Sequence, residues 1–357
     1  MPFLSLVGYI CYKQNNLHMF QEFEKQSKES WQKKAVIDLK GKPLGKTNWR
    51  TFEEIEVEPY YTKEEILSNS VSTLLPAQYP YLRSQKELGN GWLLREEISQ
   101  FKNLKATNAK ALEAIEKGSH NLVFSIKAQT EGFDGIPIKN VNDLENLLSG
   151  IDPTQTGISF TSGLASPFYA HLLAKWANNK GFDAQQLFGS LDYDPIGQFI
   201  TEGHSAKNLD DVFAHLAEVM QMAQSNFKHY KVLSINSKTM HNAGASIVQE
   251  LAFTLAVANE YLHQLEQRGF KLDNFFSHVQ SQLSIGGSYF QEIAKIRAWR
   301  WLWTTLASQY TNNETAQAGY LVAATSEWNK SVYDPYVNML RSTTEGMSAA
   351  IGSADEI

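Results

Sequence analysis

The sequence predicts an α/β fold built on parallel strands, and three observations carry that prediction. Short β-rich runs recur after residue 100: LVFSIKA (122–128), GISFTSG (157–163), LFGSLDYDP (187–195), KVLSINS (231–237), QSQLSIGG (280–287) and YLVAATS (320–326). Stretches with helical spacing fill the gaps between them. Strands that alternate with helices run parallel, because each return to the sheet needs a crossover. A (β/α)8 TIM-type barrel fits this rhythm best, with a doubly wound open sheet second. No Gly-x-Gly-x-x-Gly follows a strand and no phosphate-loop signature occurs, which disfavours nucleotide folds.

Residues 1–18 open with MPFLSLVGYICY, an apolar run without a positive leader or a clear cleavage site and too short to span a bilayer. Met19 reads like a natural start, so residues 1–18 are expected to be an upstream extension, with an export signal as the alternative. Residues 19–95 read as an extended N-terminal arm. They hold a charged helical stretch (Ser30–Leu39), the Trp49-Arg50-Thr51 segment and the extended IEVEPYYT (55–62).

Residues 96–357 carry the barrel pattern. Ser166-Pro167 offers an N-cap followed by proline at the first helical position. Leu209, Val212, Phe213, Leu216 and Met220 share one helix face behind Asn208 as N-cap. Ser246-x-x-Gln249 reads as a capping box ahead of the stripe Ile247, Leu251, Leu255, Ala258 and Leu262. Six strand runs precede GSADEI (352–357), which would open a seventh. The barrel is therefore expected to be incomplete, a C-terminally truncated piece ending near strand 7 with two unpaired edges.

Bulk properties narrow the function. The 357 residues are 43% hydrophobic, enough for a sizeable core, and the net charge of −6 with no basic block argues against nucleic acid as a partner. Cys11 is the only cysteine, which excludes an internal disulfide and an all-thiolate metal site and fits a reducing, cytoplasmic setting.

Candidate chemistry gathers where strands end. The polar junction Lys238–Asn242 joins a β-branched run to a long helix, and His241 with Asn242 reads either as site or as helix-entry hydrogen bonding. Asp192 and Asp194, one residue apart, suit a metal or a shared proton, or else Asp194-Pro195 begins a turn. His120, His171, His204, His215, His229 and His263 lack paired metal spacing, so no metal site is expected. Trp299, Trp301 and Trp303, with Arg297 and Arg300, suit either a subunit interface or the barrel wall.

Longer motifs carry a resemblance. HNAGASIVQELAFTLAVANEYL (241–262), GGSYFQEIAKIRAWRWLW (286–303) and DPYVNMLRSTTEGMSAAIGSADEI (334–357) resemble the acyl-CoA mutase barrel of the methylmalonyl-CoA mutase family. WRTFEEIEVEPYYT (49–62), PYLRS (80–84) and GSLDYDPIG (189–197) extend it, in order, over nearly everything after Met19. The resemblance implies a system that interconverts methylmalonyl-CoA and succinyl-CoA with adenosylcobalamin. In that family the acyl-CoA tail threads the barrel axis, and a separate C-terminal domain supplies the cobalt ligand. Such a cobalamin-binding domain is expected to be absent here.

Three departures from the family pattern stand out. The family reads Gly-Tyr-His-Met-Gln-Glu-Ala-Gly-Ala where this chain has residues 237–245, so its thioester-binding histidine falls on Thr239, and His241 is offset by two. A tyrosine-bearing loop is replaced by Gln85–Gly91, without tyrosine. The Arg-x-Ser that meets substrate falls on His278-Val279-Gln280, which lacks arginine's bidentate fork. These departures resemble the family's small, non-catalytic subunit, which pairs with a catalytic large subunit. On that reading no catalytic residue and no cofactor belong to this chain alone, and adenosylcobalamin belongs to the assembled enzyme. Thr239, His241, Asn242, His278, Gln280, Asp192 and Asp194 are then a vestigial site. The alternatives are an active isomerase using His241 and His278 as substitutes, and a barrel hydrolase using Asp192 and Asp194.

Overall fold

The computed structural model describes residues 23–24, 26–62, 65, 74–87, 91–99, 103–126, 135–203 and 208–357. The expected extension (1–18), Met19, Cys11, His204 and the centre of the 85–91 replacement lie outside the described residues. The chain forms two compact units, 1–73 and 74–357.

In the first unit, α1 (Lys28–Asp38) is capped by Ser27, whose side chain accepts from the Ser30 N–H. Two short strands, β1 (Trp49–Arg50) and β2 (Glu56–Val57), pair antiparallel as a hairpin. Trp31 stacks on Tyr60 with ring centres 4.5 Å apart.

The second unit alternates strands and helices as the sequence predicts. A three-stranded parallel sheet joins β3 (Arg95–Ile98), β4 (Asn121–Ser125) and β5 (Gly157–Thr161), with α2 (Leu104–Glu116) and α3 (Val141–Leu147) as crossovers. After α4 (Ser166–Lys180) a four-stranded parallel sheet runs in order β6 (Phe188–Tyr193), β7 (His229–Asn236), β8 (Val279–Ile285) and β9 (Leu321–Thr325). Between these strands lie α5 (Pro195–Glu202), α6 (Leu209–Asn226), α7 (Lys238–Asn242), α8 (Ile247–Gln267) and α9 (Tyr289–Ala307), and α10 (Asn338–Gly352) follows β9. One contiguous apolar core links strands and helices, from Ile98 and Phe124 to Trp299 and Leu321.

In the second unit the described residues form seven strands against the six runs read from the sequence. Arg95–Ile98 is a strand hidden in a polar run, and it straddles the boundary expected at residue 95 between arm and barrel. The expected pair of bare edges is also corrected. Residues 355–357 lie between β3 and β9: the N–H groups of Leu93 and Arg95 donate to the carbonyls of Asp355 and Ile357 at 2.9 Å, and the Ala323 N–H donates to Glu356 at 2.9 Å. Edge backbone groups need partners, and this short terminal segment supplies them on both sides.

At the other seam, β5 meets β6 without a regular ladder. Gly189 has φ +140°, and a Cβ there would sit 2.1 Å from the Ile158 carbonyl oxygen, so only glycine allows this approach. The Ser190 N–H donates to Ser159 Oγ at 2.8 Å, and the Tyr230 hydroxyl donates to the Ile158 carbonyl.

Caps match in part. Asn208 caps α6, and the Ser246–Gln249 capping box of α8 is complete. Ser166 is instead the first residue of α4, and its hydroxyl donates to the Gly163 and Leu191 carbonyls. Trp299 and Trp303 stack at 5.2 Å inside the wall, while Trp301 faces outward. Among the described residues no helix is long and apolar enough to cross a membrane. Replacing Gly189 with alanine should cost about 2–3 kcal/mol of unfolding free energy in urea titration, since it adds an overpacked Cβ at a strained φ.

Candidate functional site

The strands' C-terminal ends open into a cavity of about 540 Å³ whose lining includes Arg95, Glu97, Asp192, Ser234, Lys238 and Lys330. Its floor is a buried polar network. The bulge between Ser190 and Tyr193 puts Asp192 at φ +45°, an uncommon conformation for a residue with a Cβ, and Asp192 lines the cavity. Arg95 Nη2 donates to Asp192 Oδ2 at 2.6 Å, and its Nη1 donates to Glu356 Oε2 at 3.1 Å. Ser190, Ser234 and Gln280 donate to Asp192 Oδ1 at 2.7, 3.0 and 3.0 Å, and Thr161 donates to Oδ2 at 3.1 Å. Glu356 also accepts from Asn121 at 3.1 Å and from the Tyr320 hydroxyl at 2.9 Å.

Burial alone would push Asp192 up. The Arg95 charge and the donors around the carboxylate more than offset this and hold it below its ordinary value.

Asp194 does something else. Its carboxylate accepts from the Gly197 N–H at 3.0 Å, the Asn236 N–H at 2.9 Å and the Tyr261 hydroxyl at 2.6 Å, so it caps α5 behind Pro195. Burial raises its pKa against those bonds. Asp192 and Asp194 therefore point into separate networks. They form no shared carboxylate pair of the kind a hydrolase site would need.

His241 lies on α7 at the strands' C-terminal ends. Its Nδ1 is 3.5 Å from Glu250 Oε2, and because a carboxylate only accepts, Nδ1 carries a proton; its Nε2 lies 2.8 Å from the Ser326 hydroxyl. Glu250 is fully buried on α8. It also receives Ser237 Oγ at 2.9 Å, the Ser284 N–H at 2.8 Å and Lys295 Nζ at 2.8 Å. Lys295 is shared with Glu292 at 2.6 Å. Burial raises Glu250, but His241 and Lys295 outweigh it and keep the carboxylate ionised.

Thr239 is half-buried with its hydroxyl 3.5 Å from that of Thr201. Asn242 donates to Glu327 at 3.1 Å. Gln280 lies in the lumen, donating to Ser234 at 2.7 Å. His278 precedes β8 at the opposite end of the strands, where its Nδ1 donates to the Tyr230 carbonyl at 2.9 Å and burial lowers its pKa. The structure does not bring His241 and His278 together.

Sequence reasoning passed over Glu250, Lys295 and Glu356. The signal was available for two of them. Glu250 adjoins the apolar stripe of α8, and Lys295 follows Glu292 by three residues on a helix that also carries the buried tryptophans.

An α/β protein of two parallel sheets, with a buried network of charged side chains at the floor of its strand-end cavity, is the class that this geometry defines. The family description methylmalonyl-CoA mutase matches residues 50–357, and the chain belongs to that family. It is 38% identical over 349 residues to a methylmalonyl-CoA mutase small subunit of Porphyromonas gingivalis, covering 95% of this chain and 53% of that one. It is 27% identical over 348 residues to a methylmalonyl-CoA mutase of Cereibacter sphaeroides, covering 92% and 49%. It is also 26% identical over 357 residues to a methylmalonyl-CoA mutase large subunit of Streptomyces virginiae, covering 93% and 47%. The chain thus spans about half the length of these relatives.

Replacing Arg95 with methionine should cost about 3–5 kcal/mol at pH 7, because Asp192 and Glu356 are left as unpaired buried charges. The sign of the pH dependence follows from the depressed Asp192 pKa. Its stabilisation is present above the unfolded carboxyl value, near pH 4, and is lost as pH falls through the lower folded value. Urea unfolding of both proteins from pH 7 down to pH 3 should therefore show the deficit of the variant shrinking in acid.

Proposed function

We propose that this chain is the small subunit of a methylmalonyl-CoA mutase and supports a catalytic large subunit without turning over substrate itself. We read its two sheets as the wall of one (β/α)8 TIM-type barrel, with residues 355–357 in the position of a strand. The observation that carries the proposal is the filled axis. Arg95, Asp192 and Glu356, with Tyr320 below them, occupy the space that a threaded acyl-CoA tail would need. The cavity above this network and the cavity of about 390 Å³ at the strands' N-terminal ends have no lining residue in common.

The strand-end chemistry supports the same reading. Thr239 offers no imidazole for a thioester carbonyl. His241, the nearest imidazole, is engaged by Ser326 and Glu250. These residues do not fit a role in handling adenosylcobalamin or its radical. In the assembled enzyme the cofactor belongs with the large subunit, in a cytoplasmic complex.

The test is turnover. The purified chain with adenosylcobalamin and methylmalonyl-CoA should form no succinyl-CoA, while a co-purified complex with a large subunit should. His241→Ala should leave the kcat of that complex within about twofold. Turnover by the chain alone, abolished by His241→Ala in a folded protein, would instead establish the rearranged-site isomerase.

A further inference from the structure

We propose that Lys231 is a site of Nε-acylation by acyl thioesters, its amine opening into the polar cavity at the N-terminal ends of the strands. This goes beyond the subunit reading. The choice of a thioester as donor rests on the family assignment, whereas the reactivity of the amine does not.

The cavity is lined by Lys231 together with Asp273, Asn274, Asn313, Thr315 and Tyr320, among others. Lys231 Nζ donates to the Ser277 carbonyl at 2.7 Å and lies 4.8 Å from the centre of the Tyr320 ring. Neither contact is a carboxylate. The two acids whose charge reaches it, Asp355 and Glu356, are already paired with Arg300 at 2.9 Å and Arg95 at 3.1 Å. Asp273, in the same cavity, accepts from the Thr311 hydroxyl. Of the other titratable groups near it, His278 has its pKa held low by burial, Tyr320 has its hydroxyl pKa pushed far up, and His229 begins the same strand.

Burial therefore prevails over the distant acids and lowers the Lys231 amine to about 8. At pH 7.5 its uncharged fraction is then roughly two hundred times that of an ordinary lysine. An uncharged, partly desolvated amine is a nucleophile toward carbonyl carbon. Nζ attacks the thioester carbonyl, the C–N bond forms and the C–S bond breaks. The thiolate leaves with the bonding pair, and the ammonium proton passes to water. No oxidant, reductant or second substrate enters the balance.

Site-resolved labelling of the full chain tests this. The protein is incubated with acetyl-CoA from pH 6.5 to 10, digested, and each lysine is quantified by mass spectrometry. Lys231 should acetylate at least about tenfold faster at pH 7.5 than the exposed Lys40 and Lys42, with a rate that levels off above about pH 8–9 while theirs keeps rising. Lys231→Arg should remove that labelled site from a chain with an unchanged circular dichroism spectrum. The wild-type comparison stands even if the variant folds poorly. Labelling of Lys231 no faster than Lys40 and Lys42, or a rate still climbing at pH 10, would overturn the proposal.

Discussion

One arginine ties the two parallel sheets together. Arg95 comes from the first strand of the three-stranded sheet, yet it binds a carboxylate on β6 and another on the terminal segment. Buried charges are tolerated only when paired and hydrogen-bonded, so the positions of Asp192 and Glu356 are fixed by the one cation between them. Asp192 reaches it by adopting a left-handed backbone conformation at a bulge. That strain persists because five neighbouring side chains, Arg95, Thr161, Ser190, Ser234 and Gln280, donate to the carboxylate.

The same constraint shapes what the molecule can do. The Asp192 carboxylate and the Glu356 carboxylate are each committed to several donors, most of them on other strands. Glu250 imposes a similar economy at the strand ends, where it engages His241, Ser237 and Lys295 at once. Both networks tie elements far apart in sequence. Lys231 differs because the acids within its electrostatic reach are already taken by arginines.

Much of the fold was legible in the sequence. The six apolar runs are all strands, Asn208 and the Ser246–Gln249 box cap the helices expected of them, and the crossovers make the strands parallel. The seventh strand was not legible. Arg95-Glu96-Glu97-Ile98 carries one buried apolar residue, because Arg95 and Glu97 line the polar cavity and Glu96 is exposed. The stripe on α8 was read slightly off-centre for a related reason. Its buried face includes Glu250, Thr254 and Tyr261, which a hydrophobic pattern discounts, while Ile247 and Leu255 are only half-buried. Of the polar network, Asp192 and Gln280 were both named as candidates in the sequence, but their partners lie up to 97 residues away. No local pattern reports such a pair.

The most direct measurement is calorimetric titration of coenzyme A into the isolated chain. With the lumen occupied by the Arg95 network, the account predicts no saturable heat up to about 1 mM ligand, a limit equivalent to less than about 4 kcal/mol of binding free energy. Saturable binding at micromolar concentration, lost when the lumen residues are enlarged, would contradict it.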